Sequence, residues 1–189
     1  MKVLITGAAG FIGSQLLEAL AVQHPEWTLI ASDIRPLNPQ ALRPNVEAAL
    51  LDIGKREAVL AAVAQHQPDA IVHLASVVTP PPGMGEDVLH TIDVEGTRSI
   101  LQAAVEHGVR QLIVTSSGAA YGYYPENAEW IDEHDPLRGH SKFAYAKHKR
   151  EVEEMLAQAR VKHPELRQLI LRPGTILGRH VNNQITDMF

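Results

Sequence analysis

The chain of 189 residues contains no cysteine, which excludes a disulfide framework and thiol catalysis and suits a reducing compartment. No stretch approaches the ~18 apolar residues of a membrane-spanning helix. The N-terminal apolar run is too short for a signal peptide and gives way at once to glycines. The expectation is a cytoplasmic protein without a membrane partner. No Lys/Arg-rich run occurs and the net charge is −5, which disfavours a nucleic-acid partner held through a basic face. None of the ten histidines stands in H-x-x-x-H or H-E-x-x-H, so no metal site is expected. Repeats and low-complexity segments are missing as well. With 45% hydrophobic residues, the chain can bury the core of one domain.

What is present begins with Val3-Leu4-Ile5, a short apolar run, followed by Thr6-Gly7-Ala8-Ala9-Gly10-Phe11-Ile12-Gly13. Apolar residues then fall at helical spacing through Leu20. Strand, glycine-rich turn and helix in that order make a phosphate cradle: Gly7 for the tight turn, Gly10 for close approach of backbone to a pyrophosphate, and Gly13 for close packing of the helix on the strand. The spacing is G-x-x-G-x-x-G, and three glycines can also be a plain loop. A second strand, 27–33, ends in Asp33, where a carboxylate accepts hydrogen bonds from an adenosine ribose. An acid there repels a 2'-phosphate and favours NAD over NADP. Arg35 argues the other way with less weight, because Asp33 stands first.

Strands are further expected at 46–51, 69–76, 111–115 and 167–171, with helices at 57–63, 87–107 and 141–160. Their alternation predicts an α/β fold, a doubly wound parallel sheet of six to seven strands. Tyr145 and Lys149, four apart on the last helix, share a face. An ammonium beside a phenol pulls the phenol's pKa down from about 10, fitting it to exchange a proton with an alcohol or carbonyl. Ser117 closes the fifth strand, where its hydroxyl can hold the same substrate oxygen. His73 is expected to be a packed, hydrogen-bonded core residue, and His134, His140 and His148 to be solvated. The acidic run at Asp132, Glu133 and Asp135 is expected to be a solvated loop.

With these pieces in order, the chain resembles the extended short-chain dehydrogenases/reductases of the NAD-dependent epimerase/dehydratase type. The matching residues are the Thr6–Gly13 turn, Asp33, Asp52-Ile53, His73-Leu74-Ala75, Thr115-Ser116-Ser117-Gly118-Ala119-Ala120-Tyr121-Gly122, Tyr145-x-x-x-Lys149 and Leu171-Arg172-Pro173-Gly174. The resemblance implies NAD as cofactor, held by Gly7, Gly10, Phe11, Ile12, Gly13, Asp33, Asp52, Ile53, Leu74, Ala75, Ser76, Tyr145, Lys149 and Pro173. It implies catalysis by Ser117, Tyr145 and Lys149. Tyr145 would take a hydroxyl proton as hydride leaves carbon for NAD+, Lys149 would lower the tyrosine pKa and bind the nicotinamide ribose, and Ser117 would steady the oxygen. It also implies a homodimer formed by pairing the helices at 87–107 and 141–160.

Two departures stand out. Aspartate, Asp93, precedes Val94-Glu95-Gly96-Thr97 where the family often has asparagine, and it is expected to be a structural acceptor rather than a proton relay. The family also continues well past Phe189, into a lobe that grips substrate. Residues 1–178 are therefore expected to form the NAD-binding domain and 179–189 the start of a truncated substrate-binding region. The expected activity is epimerase, dehydratase or dehydrogenase chemistry on a small molecule, a sugar or sugar-nucleotide hydroxyl. The alternatives are an alcohol dehydrogenase or ketone reductase on a non-nucleotide substrate, favoured by the lack of a basic residue around Pro80-Pro81-Pro82, and an NAD-binding sensor or scaffold without catalysis.

Overall fold

The first strand, β1 (Lys2–Thr6), is buried from Val3 to Thr6, as a parallel strand covered on both faces must be. A computed structural model describes residues 1–38, 42–178 and 181 of the chain. In it β1 is followed by α1 (Phe11–Gln23), β2 (Thr28–Asp33), β3 (Val46–Leu50), α2 (Arg56–His66) and β4 (Ala70–His73). Then come α3 (Glu86–His90), α4 (Gly96–Glu106), β5 (Gln111–Thr115), α5 (Ala144–Lys162) and β6 (Arg167–Leu171). The strands form one parallel sheet in the order β3-β2-β1-β4-β5-β6. The doubly wound sheet is thus present, with six strands among the described residues.

Alternation along each strand sorts the side chains into two cores. Leu4, Ile30, Ile71, Leu112 and Val114 face Val59 and Val63 of α2, Ile100 and Ala104 of α4, and Val152 and Leu156 of α5. Val3, Ile5, Leu29, Ala31 and Val72 face Leu17 and Ala21 of α1. The chain runs from β1 outward to β2 and β3, then crosses back to β4 on the other side of β1. That reversal opens a crevice at the carboxyl ends of β1 and β4, where such sheets take ligands.

Two helices differ from expectation. The run at 87–107 is α3 and α4 joined by a π turn, Thr91–Glu95, a widening often found at functional sites. The last helix begins at Ala144, three residues later than expected, because His140 closes a turn ahead of it. The His140 carbonyl accepts the Phe143 N–H at 3.1 Å and its Nδ1 accepts the Lys142 N–H at 3.3 Å. The expected start of a substrate-binding region at 179–189 lies, except for Val181, outside the described residues.

Candidate functional site

The glycine turn is held where the sequence places it. Gly7 has φ +71°, and a Cβ there would lie 2.8 Å from the Ala75 nitrogen, so the turn fits against the end of β4 only without a side chain. A Cβ on Gly13 would lie 2.1 Å from the Gly7 carbonyl oxygen. The close approach is therefore of helix to turn rather than of helix to strand. Gly10, the residue before α1, offers no side-chain cap, which leaves the N-terminal end of the helix free to face an anion. Asp33, buried, braces the turn: its Oδ2 accepts the Ala9 N–H and its Oδ1 the Arg35 N–H, both at 3.0 Å. The Arg35 Nε lies 3.3 Å from the same Oδ1.

A cavity of about 320 Å³ opens along this turn, and Gly7, Gly10, Asp33, Arg35, Asp52, Ile53, Leu74, Ala75 and Ser76 all line it. The structure thus gathers eight of the expected cofactor residues around one cavity, while Tyr145, Lys149 and Pro173 are not among its lining residues. Phe11, Ile12 and Gly13 form the first turn of α1 beside it. Pro173 stands past β6, its carbonyl accepting the Gly118 N–H at 3.0 Å. A side-chain-free cradle, an uncapped helix end and a strand-end carboxylate on one cavity fit a dinucleotide's pyrophosphate and ribose.

Behind the cavity, polar side chains lock the strand ends together. Thr6 Oγ1 meets His73 Nδ1 at 2.7 Å, and His73 Nε2 meets Thr97 Oγ1 at 3.0 Å. His73 is the packed, hydrogen-bonded residue expected, and burial, followed by the Lys149 charge, pushes its pKa down to about 3. Asp93 is the structural acceptor expected: its Oδ1 accepts the Ser76 hydroxyl at 2.8 Å and the Val77 N–H at 3.1 Å.

Ser117, Tyr145 and Lys149 come together at the carboxyl end of β5. Ser117 caps a short 3-10 turn, accepting the Ala119 N–H at 3.1 Å, and its hydroxyl is near enough to the Tyr145 phenol to favour the phenolate. Lys149 Nζ donates to the Thr115 carbonyl at 3.2 Å and lies 5.3 Å from the Tyr145 ring centroid. One expectation is corrected here. The Tyr145 pKa is raised, first by burial and then by the Asp93 and Tyr123 charges, against the lowering effect of the Ser117 hydroxyl. The Lys149 ammonium sits over the ring and is bonded to the Thr115 carbonyl rather than to the phenol oxygen, and burial sets the direction of the shift. Burial also lowers the Lys149 pKa, with Asp93 and Glu153 opposing. A second correction concerns His148, which is fully buried rather than solvated.

Two residues beside the site carry no assigned role in the sequence reading, Glu153 and Arg172. Glu153 stands one further turn along the Tyr145–Lys149 face of α5. Its carboxylate accepts the Ser116 hydroxyl and a two-pronged bond from Arg172, with Nη2 at 2.7 Å and Nε at 2.9 Å. Arg172 Nη1 also donates to the Tyr121 hydroxyl at 2.6 Å. This network ties α5 to β6 and the loop after β5. Its signal was the arginine beside Pro173 and the i, i+4 spacing of Lys149 and Glu153. His134, Asp132 and Glu133 are exposed, as a solvated loop should be. Among the described residues no group of acidic, histidine or cysteine side chains could hold a metal, and no helix is long and apolar enough to cross a membrane.

Comparison with known proteins gives consistent matches. The profile of the NAD dependent epimerase/dehydratase family matches residues 3–189. An N-acetyl-alpha-D-glucosaminyl-diphospho-ditrans,octacis-undecaprenol 4-epimerase of Escherichia coli O157:H7 is 32% identical over 99% of this chain and 52% of the relative. A uronate dehydrogenase of Pseudomonas putida is 35% identical over 77% of this chain and 51% of the relative. Among solved structures, the UDP-glucose 4-epimerase of Thermus thermophilus, in complex with NAD, superposes with a TM-score of 0.81 at 28% identity. That match covers 96% of this chain and 58% of the other. The chain spans about half the length of the curated relatives it matches.

Proposed function

The chain belongs to the NAD dependent epimerase/dehydratase family, and from that premise we propose that it binds NAD and serves hydride-transfer chemistry on the hydroxyl of a sugar or sugar nucleotide. The observation that carries this reading is the meeting of Ser117, Tyr145 and Lys149 at the carboxyl end of β5, the strand paired with β4, whose own end runs into the Leu74-Ala75-Ser76 lining of the cavity. NAD, when bound, supplies the hydride acceptor and donor. Gly7, Gly10 and the first turn of α1 hold its pyrophosphate, Asp33 its adenosine ribose, and Asp52 and Ile53 its adenine.

Tyr145 exchanges one proton between its hydroxyl oxygen and the substrate oxygen. Burial raises its pKa, which suits the phenol to donate that proton to a carbonyl oxygen in the reducing direction; in the oxidising direction its deprotonated form takes the proton of the substrate hydroxyl. Ser117 donates to that same oxygen and orients it. Lys149, tethered to the Thr115 carbonyl, places a positive charge beside the developing oxyanion.

A second reading within the enzyme class, a dehydrogenase on a non-nucleotide alcohol, is favoured by one observation: no basic residue occurs between Leu74 and Gly85 to hold a diphosphate. The uronate dehydrogenase relative agrees with it. The long helices carry a groove between α4 and α5, lined by Leu101, Val105, Met155 and Ala159, which supports the homodimer. The cysteine-free composition supports a cytoplasmic setting.

Turnover is tested by incubating the protein and NAD with UDP-sugars and uronic acids. Epimerisation without net NADH supports the first reading, and net NADH formation the second. Tyr145→Phe should lose at least a hundredfold in kcat while binding NADH as wild type does. Retained activity in that variant would refute the assignment of Tyr145.

A further inference from the structure

One polar pair in this interior lacks its hydrogen bonds. Asp93 Oδ2 and both ring nitrogens of His148 are buried without a hydrogen-bond partner among the described residues, yet Asp93 Oδ2 and His148 Nδ1 lie only 3.7 Å apart. Orphaned groups of this kind are rare in folded proteins and are tolerated where function needs them. Their placement is particular. Asp93 sits on the π turn, and its other oxygen holds Ser76 and Val77, which line the cavity. His148 sits on α5 between Tyr145 and Lys149. The groups facing His148 are Asp93 from the π turn, His90 and Glu86 from α3, and Glu151 of its own helix. Those acting on Lys149 are Asp93 and Glu153, with buried His73 nearby.

We propose that His148 and Asp93 form a buried couple that fixes the Ser76–Val77 wall of the cavity to the helix bearing Tyr145 and Lys149, making both of them positioning residues for the reaction. Neutral His148, with its proton on Nδ1, turns that N–H toward Asp93 Oδ2 and holds the carboxylate square to Ser76 and Val77. The same carboxylate is a counter-charge for the Lys149 ammonium, so the wall of the cavity and the charge at the reacting oxygen are set by one group. His90, edge-on to His148 with ring centroids 5.3 Å apart and 3.1 Å from Glu151, closes the couple off from solvent. This inference rests on the cofactor and site reading above.

The test compares wild type with Asp93→Asn, His148→Phe and His148→Asn by two measurements. The first is an NMR titration of the Lys149 ε-carbon, which requires no cofactor. Asp93→Asn keeps an oxygen for Ser76 and Val77 but loses the charge, and should lower the Lys149 midpoint by at least one pH unit. The second is NADH affinity at pH 7. His148→Phe should weaken it at least fivefold, and His148→Asn, which restores an N–H donor, should return it to within twofold of wild type. An unmoved Lys149 midpoint in Asp93→Asn overturns the counter-charge role, and wild-type affinity in His148→Phe overturns the positioning role. If wild type itself fails to bind NADH, the cofactor reading falls, and the Lys149 titration still decides the counter-charge role of Asp93.

Discussion

Replacing Gly13 by alanine tests the glycine turn at its tightest contact. The new Cβ would lie 2.1 Å from the Gly7 carbonyl oxygen and 2.8 Å from the Ala8 Cα, whereas carbon atoms rest at about 3.5–4.0 Å. Both neighbours are backbone, so no side-chain rotation relieves the clash, and α1 must shift by roughly an ångström relative to the turn. Overpacking of this kind costs about 1–3 kcal/mol, and backbone against backbone belongs at the upper end. Alanine's better helix propensity returns about 1 kcal/mol. The net loss is about 2 kcal/mol, a fall in Tm of roughly 4–8 °C for a chain of this size. The shifted turn should also weaken NADH binding at least tenfold, about 1.4 kcal/mol. Thermal unfolding followed by circular dichroism, with NADH titration of the folded variant, measures both. A Gly13→Ala protein that melts at or above wild type and binds NADH equally would refute the reasoning, since a glycine-to-alanine change in an unhindered helix stabilises.

Arg172→Met should destabilise by about 3 kcal/mol, because it leaves the buried Glu153 carboxylate without its two-pronged partner, and urea unfolding reads this as a lower midpoint. Stability should also fall with acid. His73 has its folded pKa pushed down from 6.5 to about 3, so between those values the unfolded chain takes up a proton that the folded one refuses. Stability is full above pH 6.5 and drops as pH falls, by about 2 kcal/mol at pH 5 for this group. His73→Gln should flatten that slope in urea titrations at several pH values, and an unchanged slope would refute the assignment.

The sheet was legible because apolar runs such as Val3-Leu4-Ile5 change to helical spacing right after the glycines, and a strand buried on both faces has no other pattern. Asp33 and the Tyr145–Lys149 pair were legible for a related reason: strand ends and i, i+4 spacing fix which edge or face a side chain joins. Spacing does not fix where a long side chain ends. Lys149 reaches the Thr115 carbonyl and lies over the ring, and α5 packs chiefly against the 3-10 turn at Gly118–Tyr121 and the π turn at Thr91–Glu95, neither of which spacing foretells. His148 was read as solvated because a histidine three positions past Tyr145 carries no mark of the π turn that brings Asp93 against it. The late start of α5 depends on His140 bonds that no periodicity reports.

The most direct measurement is a fluorescence titration of the purified protein with NADH and, separately, NADPH. Asp33 braces the turn and lines the same cavity, so NADH should bind at least tenfold more tightly than NADPH, and Asp33→Ala should narrow that ratio. Preference for NADPH would move the determining role from Asp33 to Arg35. Binding of neither would contradict the central claim that the cavity at the glycine turn holds NAD.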